Sequence, residues 1–167
     1  MTDTGVVPAV GFEKARPRDA EALTQVSVRS FDDDSRRYGG LPRGGPPGYD
    51  VPEWHRWAMR RGIYFKILAG DVIVGGIILF DLRRRHFNLG CFFVDPDHQG
   101  QGIGTRAVAF VEAAHPHVKK WSLDTPAWSP RNHHFYEKLG YVRTGEEWTD
   151  EAGVRLWAYE KHVQPRP

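Results

Sequence analysis

Cysteine, long apolar runs and an excess of charge of either sign are nearly missing from this sequence, and each absence excludes a class of protein. The only cysteine, Cys91, has no partner, which rules out a disulfide framework and fits a reducing compartment. It lies in a strand-like apolar run and reads as a small buried hydrophobe. The longest apolar run, Val72 to Phe80, is far short of the ~20 residues that cross a bilayer. The opening "MTDTGVVPAV" has neither the basic start nor the apolar length of a signal peptide, so no membrane partner and a cytoplasmic location are expected. With 23 basic and 21 acidic side chains the net charge is only +2, which is no footprint for a nucleic-acid partner. Any anionic ligand must be held locally. His133–His134 and His115-Pro116-His117 lack the i, i+4 spacing of a helical zinc pair, and no cysteine or carboxylate motif completes a set, so no metal is expected.

What is present suffices for one globular domain over residues 1–167, with 40% apolar and 13% aromatic residues to build one core. "GFEKARPRDAEALTQVSVRSF" reads as a short strand, a break at Pro17, and a helix with Ala22, Leu23, Val26 and Phe31 at helical spacing. Residues 39–50, "GGLPRGGPPGYD", hold five glycines and three prolines and read as a shaped surface loop. "VPEWHRWAMRR" is helix-like, with Trp54 and Trp57 on one face, and "IYFKIL" alternates as a strand does. "VIVGGIILF" is continuously apolar, as a central strand covered on both faces would be, and Gly75–Gly76 mark a bulge or a close backbone approach. "DLRRRH" turns this strand into "FNLGCFFV", with Arg83, Arg84 and Arg85 at a solvated hairpin tip. After a glycine-dense turn and a helix come the strand "KWSLDT", the helix "PRNHHFYEKLG" closed by Gly140, and a final pair, "YVRTGEEW" and "VRLWAYEKH".

In "HQGQGIGT", Gly100, Gly102 and Gly104 stand between a strand ending near Val94 and a helix predicted to bury Ile103, Ala107, Phe110, Val111 and Ala114. Alternate glycines let backbone N–H groups point one way at the positive end of a helix dipole, which makes an anion cradle. A ligand-free tight turn is the simpler alternative, but glycines cost roughly 0.5–1 kcal/mol each within regular structure. Three phosphate readings compete. A P-loop fails because Thr105 and Arg106 follow Gly104 with no lysine. A dinucleotide site is a closer rival: "GIGTRA" fits G-x-G-x-x-A, and Asp124 follows at about the ~20 residues a ribose-binding acid requires. Against it, "DPDH" separates strand from glycines, and the strands before it read as an antiparallel meander.

The third reading is the pyrophosphate of coenzyme A. Gln99, Gly102 and Gly104 after "VDP" resemble the Q/R-x-x-G-x-G/A signature of the GNAT superfamily of N-acetyltransferases. "FYEKLGY", residues 135–141, resembles a helix end shared by many members. With the element order, the resemblance covers residues 11 to 162. It implies a mixed α/β fold whose mostly antiparallel central sheet, flanked by helices, splays between its fourth and fifth strands. It also implies direct transfer of an acetyl group from acetyl-CoA to a primary amine of a small molecule or peptide, both substrates bound at once. Dimers are common in that family. The alternative on the same fold is a non-catalytic acyl-CoA-binding or sensing module.

The resemblance also assigns residues. Phe92, Phe93 and Val94 would offer backbone groups to the pantetheine arm, and Gln99, Gly100, Gln101, Gly102, Ile103, Gly104 and Thr105 would form the pyrophosphate cradle. Tyr136 matches the tyrosine that protonates the departing thiolate in many relatives. Where those relatives carry an asparagine, this chain has Ser129, with Asn132 three residues on. Ser129-Pro130 is equally a helix cap and first turn, and Asn132 then shares a face with Tyr136. Asp124 aligns with a carboxylate that serves as base in some relatives, or else braces the "TPAW" turn; Glu53, His55 and His134 are weaker candidates. The acceptor pocket would draw on Asp34, Tyr49, Trp54 and Trp128. Asp32, Asp33 and Asp34 would attract a cationic amine or form a solvated helix end.

Overall fold

Seven strands form one sheet in the order β1-β2-β3-β4-β5-β7-β6 in a computed structural model that describes residues 9–164. Residues 1–8, which carry most of the stretch read against a signal peptide, lie outside the described residues. The strands are β1 Val10–Lys14, β2 Ile63–Ala69, β3 Val72–Asp81, β4 His86–Val94, β5 Lys120–Pro126, β6 Val142–Thr149 and β7 Arg155–His162. The helices are α1 Ala20–Tyr38, α2 Pro52–Arg61, α3 Ile103–Ala114 and α4 Pro130–Lys138. The mixed α/β class and element order are those the sequence predicts. One boundary differs: α1 continues through "DDDSRRY" to Tyr38, because nothing breaks a helix before Gly39 and Gly40, the latter at φ 66°.

Every neighbouring pair of strands is antiparallel except β4 and β5. That parallel pairing is brief: His86, Phe87 and Asn88 stand opposite Lys120, Trp121 and Ser122, and the strands then diverge. Side chains pin the closed end. Asn88 Nδ2 donates to the Ser122 carbonyl at 3.3 Å and to its hydroxyl at 3.1 Å, and His86 Nε2 lies 2.6 Å from the same hydroxyl. Beyond it β4 carries a bulge, since Ile78 pairs with Cys91 and Leu79 with Leu89, leaving Gly90 extra. A Cβ at Gly90 would lie 2.4 Å from the Phe80 ring. Bulge and divergence together open the V in the sheet.

β3 is buried from Val74 to Leu79, as a strand covered on both faces must be. Both readings of its glycines hold, for Ile67 pairs with Gly75 and Leu68 with Ile73, leaving Val74 of β3 extra, and a Cβ on Gly75 would stand 2.4 Å from the Phe93 carbonyl oxygen. One face of the sheet receives α1 and α2 through Leu23, Val26, Ala58, Tyr64, Ile78, Cys91 and Phe93. The other receives α3 and α4 through Val108, Val111, Trp121, Leu123, Tyr136 and Tyr141. Burying each large apolar side chain is worth about 1.5–3 kcal/mol, so both helix pairs are firmly seated. The α3 face is shifted from the predicted one: Val108 is buried, Phe110 is half-buried on Phe12 and Phe65, and Ala114, the last helical residue, is exposed. No helix among the described residues is long and apolar enough to cross a membrane.

Candidate active site

The divergence of β4 from β5 leaves a cleft of about 460 Å³ between the end of β4, the N-terminus of α3, α4 and the C-terminal half of α1. Its floor is Phe92, Phe93 and Val94, followed by His98, Gln99, Gly100, Gly102, Ile103, Gly104 and Thr105. Asp34 enters from α1, and Asn132 and Tyr136 enter from α4. Most of the residues singled out from sequence therefore share one cavity.

The approach to α3 is shaped by glycine. Gly100 and Gly102 sit at φ 77° and 78°, and a Cβ at either would meet nothing within 4 Å, so conformation and not space demands glycine there. Gly104 differs: it is helical, and a Cβ would crowd Phe135 at 3.1 Å. The result is a helix N-terminus whose first residues line the cleft, at the positive end of the helix dipole and where first-turn N–H groups have no intrahelical acceptor. Gln99 fixes the loop from one side, its Nε2 donating to the Val94 carbonyl at 2.9 Å. Asp95 fixes it from the other, accepting from Asp97 N at 2.9 Å and pairing with Arg29 of α1. Burial alone would raise the Asp95 carboxyl, but the bonds from Arg29 and Asp97 outweigh it and hold the group below its usual range.

Ser129 caps α4, its hydroxyl accepting from Asn132 N at 3.4 Å, and the residue is buried outside the cleft lining. Asn132 lines the cleft and donates from Nδ2 to Thr125 Oγ1 at 3.2 Å. Tyr136, 8% exposed, packs edge-on against Tyr141. The helix buries His133 and Tyr136 more deeply than Phe135 and Leu139, because Phe135 faces Gly104 and Phe92 at the cleft. Burial first, then Cys91 and Asp34, push the Tyr136 phenol well above its usual value, so it stays protonated.

Several sequence-level site residues lie elsewhere. Gln101 is exposed and outside the cleft lining. Tyr49 is buried, its hydroxyl donating to Asp32 Oδ1 at 2.7 Å, which braces the 39–50 loop. Trp54 covers Gly48, where a Cβ would stand 2.2 Å from its ring, and Trp128 packs its ring edge against Gly39. These aromatics pack on the loop's own glycines and do not line the cleft. His55 is fully buried; its Nε2 donates to the Tyr49 carbonyl at 2.9 Å, so its Nδ1 accepts from Tyr64 OH at 2.7 Å. Glu53 pairs with Arg56 at the surface. Asp124 lies on the exposed face of β5, outside the cleft lining; desolvation against the sheet and then Glu146 push its carboxyl up to about 6.

The three consecutive aspartates are no cluster. Asp32 accepts from Gly44 N and Tyr49 OH, Asp33 pairs with Arg37, and Asp34 faces the cleft. Asp34 Oδ1 and His98 Nδ1 are buried atoms without hydrogen-bond partners, and both residues line the cleft. Arg131, which sequence reasoning passed over, spans its mouth: Nη2 donates to Gln99 Oε1 at 2.7 Å, and Nη1 lies 3.7 Å from Asp34 Oδ1. Its signal was legible, since a cation in the first turn of α4 opposes the helix dipole and calls for a second reason. Among the described residues, no group of three or more His, Cys, Asp or Glu is arranged to hold a metal ion.

Known proteins share this architecture. The PaiA N-acetyltransferase from Thermoplasma acidophilum, solved in complex with coenzyme A, superposes at a TM-score of 0.75 with 15% identity, covering 93% of this chain and 99% of its own. The ribosomal-protein-S18-alanine N-acetyltransferase from Escherichia coli superposes at 0.70 with 14% identity, covering 95% and 97%. At such identities the likeness speaks for the fold alone. The uncharacterized protein YrkN of Bacillus subtilis (strain 168) is 31% identical over 80 residues, which are 47% of this chain and only 43% of that relative's length. Residues 27–141 match the Acetyltransferase (GNAT) family, a span running from α1 through both glycine turn and tyrosine helix, and the chain therefore belongs to that family.

Proposed function

We propose that this chain transfers an acetyl group from acetyl-CoA to a primary amine of a small molecule or peptide, with both substrates bound together. The observation that carries this reading is the cleft that joins the left-handed glycines at the start of α3 to Tyr136 across the V between β4 and β5. Its chemistry fits the donor. Open N–H groups at a helix end suit a pyrophosphate, the unpaired end of β4 suits an amide-bearing arm, and the orphaned His98 Nδ1 offers a further polar contact. The complex of the Thermoplasma protein with coenzyme A supports the same ligand class.

In this reading Phe92 to Val94 bind the arm through their backbone and Gln99 to Thr105 hold the phosphates. Asn132 orients the arm near the reacting end. An acceptor ammonium has a pKa near 10.4 and must lose a proton before its nitrogen attacks the thioester carbonyl. Asp124, pushed up to about 6 on the open face of β5, is the carboxylate that takes it. Collapse breaks the C–S bond, and Tyr136 gives its phenolic proton to the leaving thiolate. One of the two protons the amine loses replaces, by way of solvent, the one Tyr136 gave, and Asp124 releases the other, so an amide, a free thiol and one proton leave the site.

The test is thiol release from acetyl-CoA over a panel of polyamines, amino acids, aminoglycosides and peptide N-termini. Acceleration by one class names the acceptor. Protein that binds acetyl-CoA yet accelerates with none is a binding module instead. With an active amine, kcat/KM should rise with pH through about 6 and level off, because the base works deprotonated, and Asp124→Asn should remove that limb.

A further inference from the structure

Arg131 bridges both lips of the cleft. From α4 it reaches the cradle through Gln99 Oε1 at 2.7 Å, and α1 through Tyr38 OH at 3.4 Å and Asp34 Oδ1 at 3.7 Å. Its guanidinium also lies 5.4 Å from the Tyr38 ring centroid. Gln99 opens the loop whose N–H groups face the cleft, so a phosphate seated there would lie beside this cation. The contact to Asp34 is the loosest of its interactions and leaves Asp34 Oδ1 without a hydrogen bond.

We propose, building on the acetyltransferase reading above, that Arg131 is a ligand of the donor's phosphates and that its move from Asp34 to them makes Asp34 take up a proton beside Tyr136. The charged groups around Asp34 make this the expected response. Arg131 faces it from α4, Asp33 and Arg37 flank it on α1, and Tyr136 lines the same cleft, its phenol raised in part by the Asp34 charge. His98 and His134 line the same cavity. Burial, and then Asp33, already favour the neutral acid, with Arg131 the largest opposing influence. Withdrawing that cation while adding phosphate charge removes the opposition. The proton so stored stands where Tyr136 needs one: after the phenol protonates the thiolate, Asp34 returns a proton to the phenolate and regains its charge as the thiol product leaves. Asp34 is thus a proton-positioning residue behind Tyr136, and Arg131 reports donor occupancy to it.

Calorimetry of 3′-dephospho-CoA binding at about pH 6, in buffers of different ionisation heat, reads the proton count directly. This probe keeps the pyrophosphate and lacks the titrating 3′-phosphate. Wild type should take up as much as about one proton per ligand bound. Asp34→Asn, which has no charge to neutralise, should bind at least as tightly and abolish the uptake, whereas uptake by any other group of the cleft would survive the substitution. Arg131→Gln should weaken 3′-dephospho-CoA about tenfold while leaving pantetheine, which has no phosphate, unchanged. Binding without uptake, uptake that survives Asp34→Asn, or equal affinity in Arg131→Gln would overturn the proposal and leave the acetyltransferase reading standing. Failure of every CoA species to bind would overturn both.

Discussion

Asn132 Nδ2 donates to Thr125 Oγ1 at 3.2 Å, tying the first turn of α4 to the end of β5. Its neighbour Ser129 caps the same turn from outside the cavity. The two substitutions should therefore separate. Ser129→Ala should cost about 1 kcal/mol of stability and leave CoA affinity unchanged. Asn132→Ala should weaken CoA binding with a smaller loss of stability. Denaturant melts and CoA titration of both variants check this.

Tyr136→Phe keeps the ring that packs on Tyr141 and removes only the hydroxyl. With an active amine it should lower kcat by roughly 10²–10⁴ while CoA affinity holds. A parallel loss of CoA affinity would assign the tyrosine to binding instead.

His55 makes stability depend on pH. Burial holds its folded pKa below the usual 6.5, so the unfolded chain binds more protons, and stability is intact above about 6.5 and falls as pH drops toward the folded value. His55→Gln, which cannot titrate, should lose about 1–3 kcal/mol at pH 8 and show a shallower fall below about pH 6.5. His86, also held low by burial and by Lys120, supplies slope that remains. Urea melts across pH, wild type against variant, read the difference.

Arg83, Arg84 and Arg85 hold φ of 72°, 54° and 60° at the exposed tip between β3 and β4. Left-handed backbone costs a side-chain-bearing residue about 1–2 kcal/mol, partly offset by glycine's greater freedom when unfolded. Arg84→Gly should raise stability by about 0.5–1 kcal/mol, read as a higher urea midpoint at unchanged slope.

The fold was legible because period and punctuation agreed. The continuous apolar run of β3, the glycine turn before α3 and Gly140 after α4 each belong to one local rule, and the element order followed from them. The donor cradle was legible for the same reason, being made of contiguous residues. What escaped depends on long-range geometry. Arg131 meets Gln99 across 32 positions of sequence, a juxtaposition that no local rule contains. Tyr49, Trp54 and Trp128, which the family resemblance implies at the acceptor pocket, pack on glycines of the 39–50 loop outside the cleft lining, and an aromatic near a glycine-rich loop looks the same in sequence in either role.

The central claim is that the glycine cradle serves a CoA thioester, and a thermal-shift comparison with acetyl-CoA, CoA, NADH and NADPH tests it most directly. A ligand at 100 times its dissociation constant adds about 2.7 kcal/mol, which a melting curve resolves. Stabilisation by acetyl-CoA and CoA alone is the result expected. Stabilisation by a nicotinamide cofactor, with none by either CoA species, would contradict it.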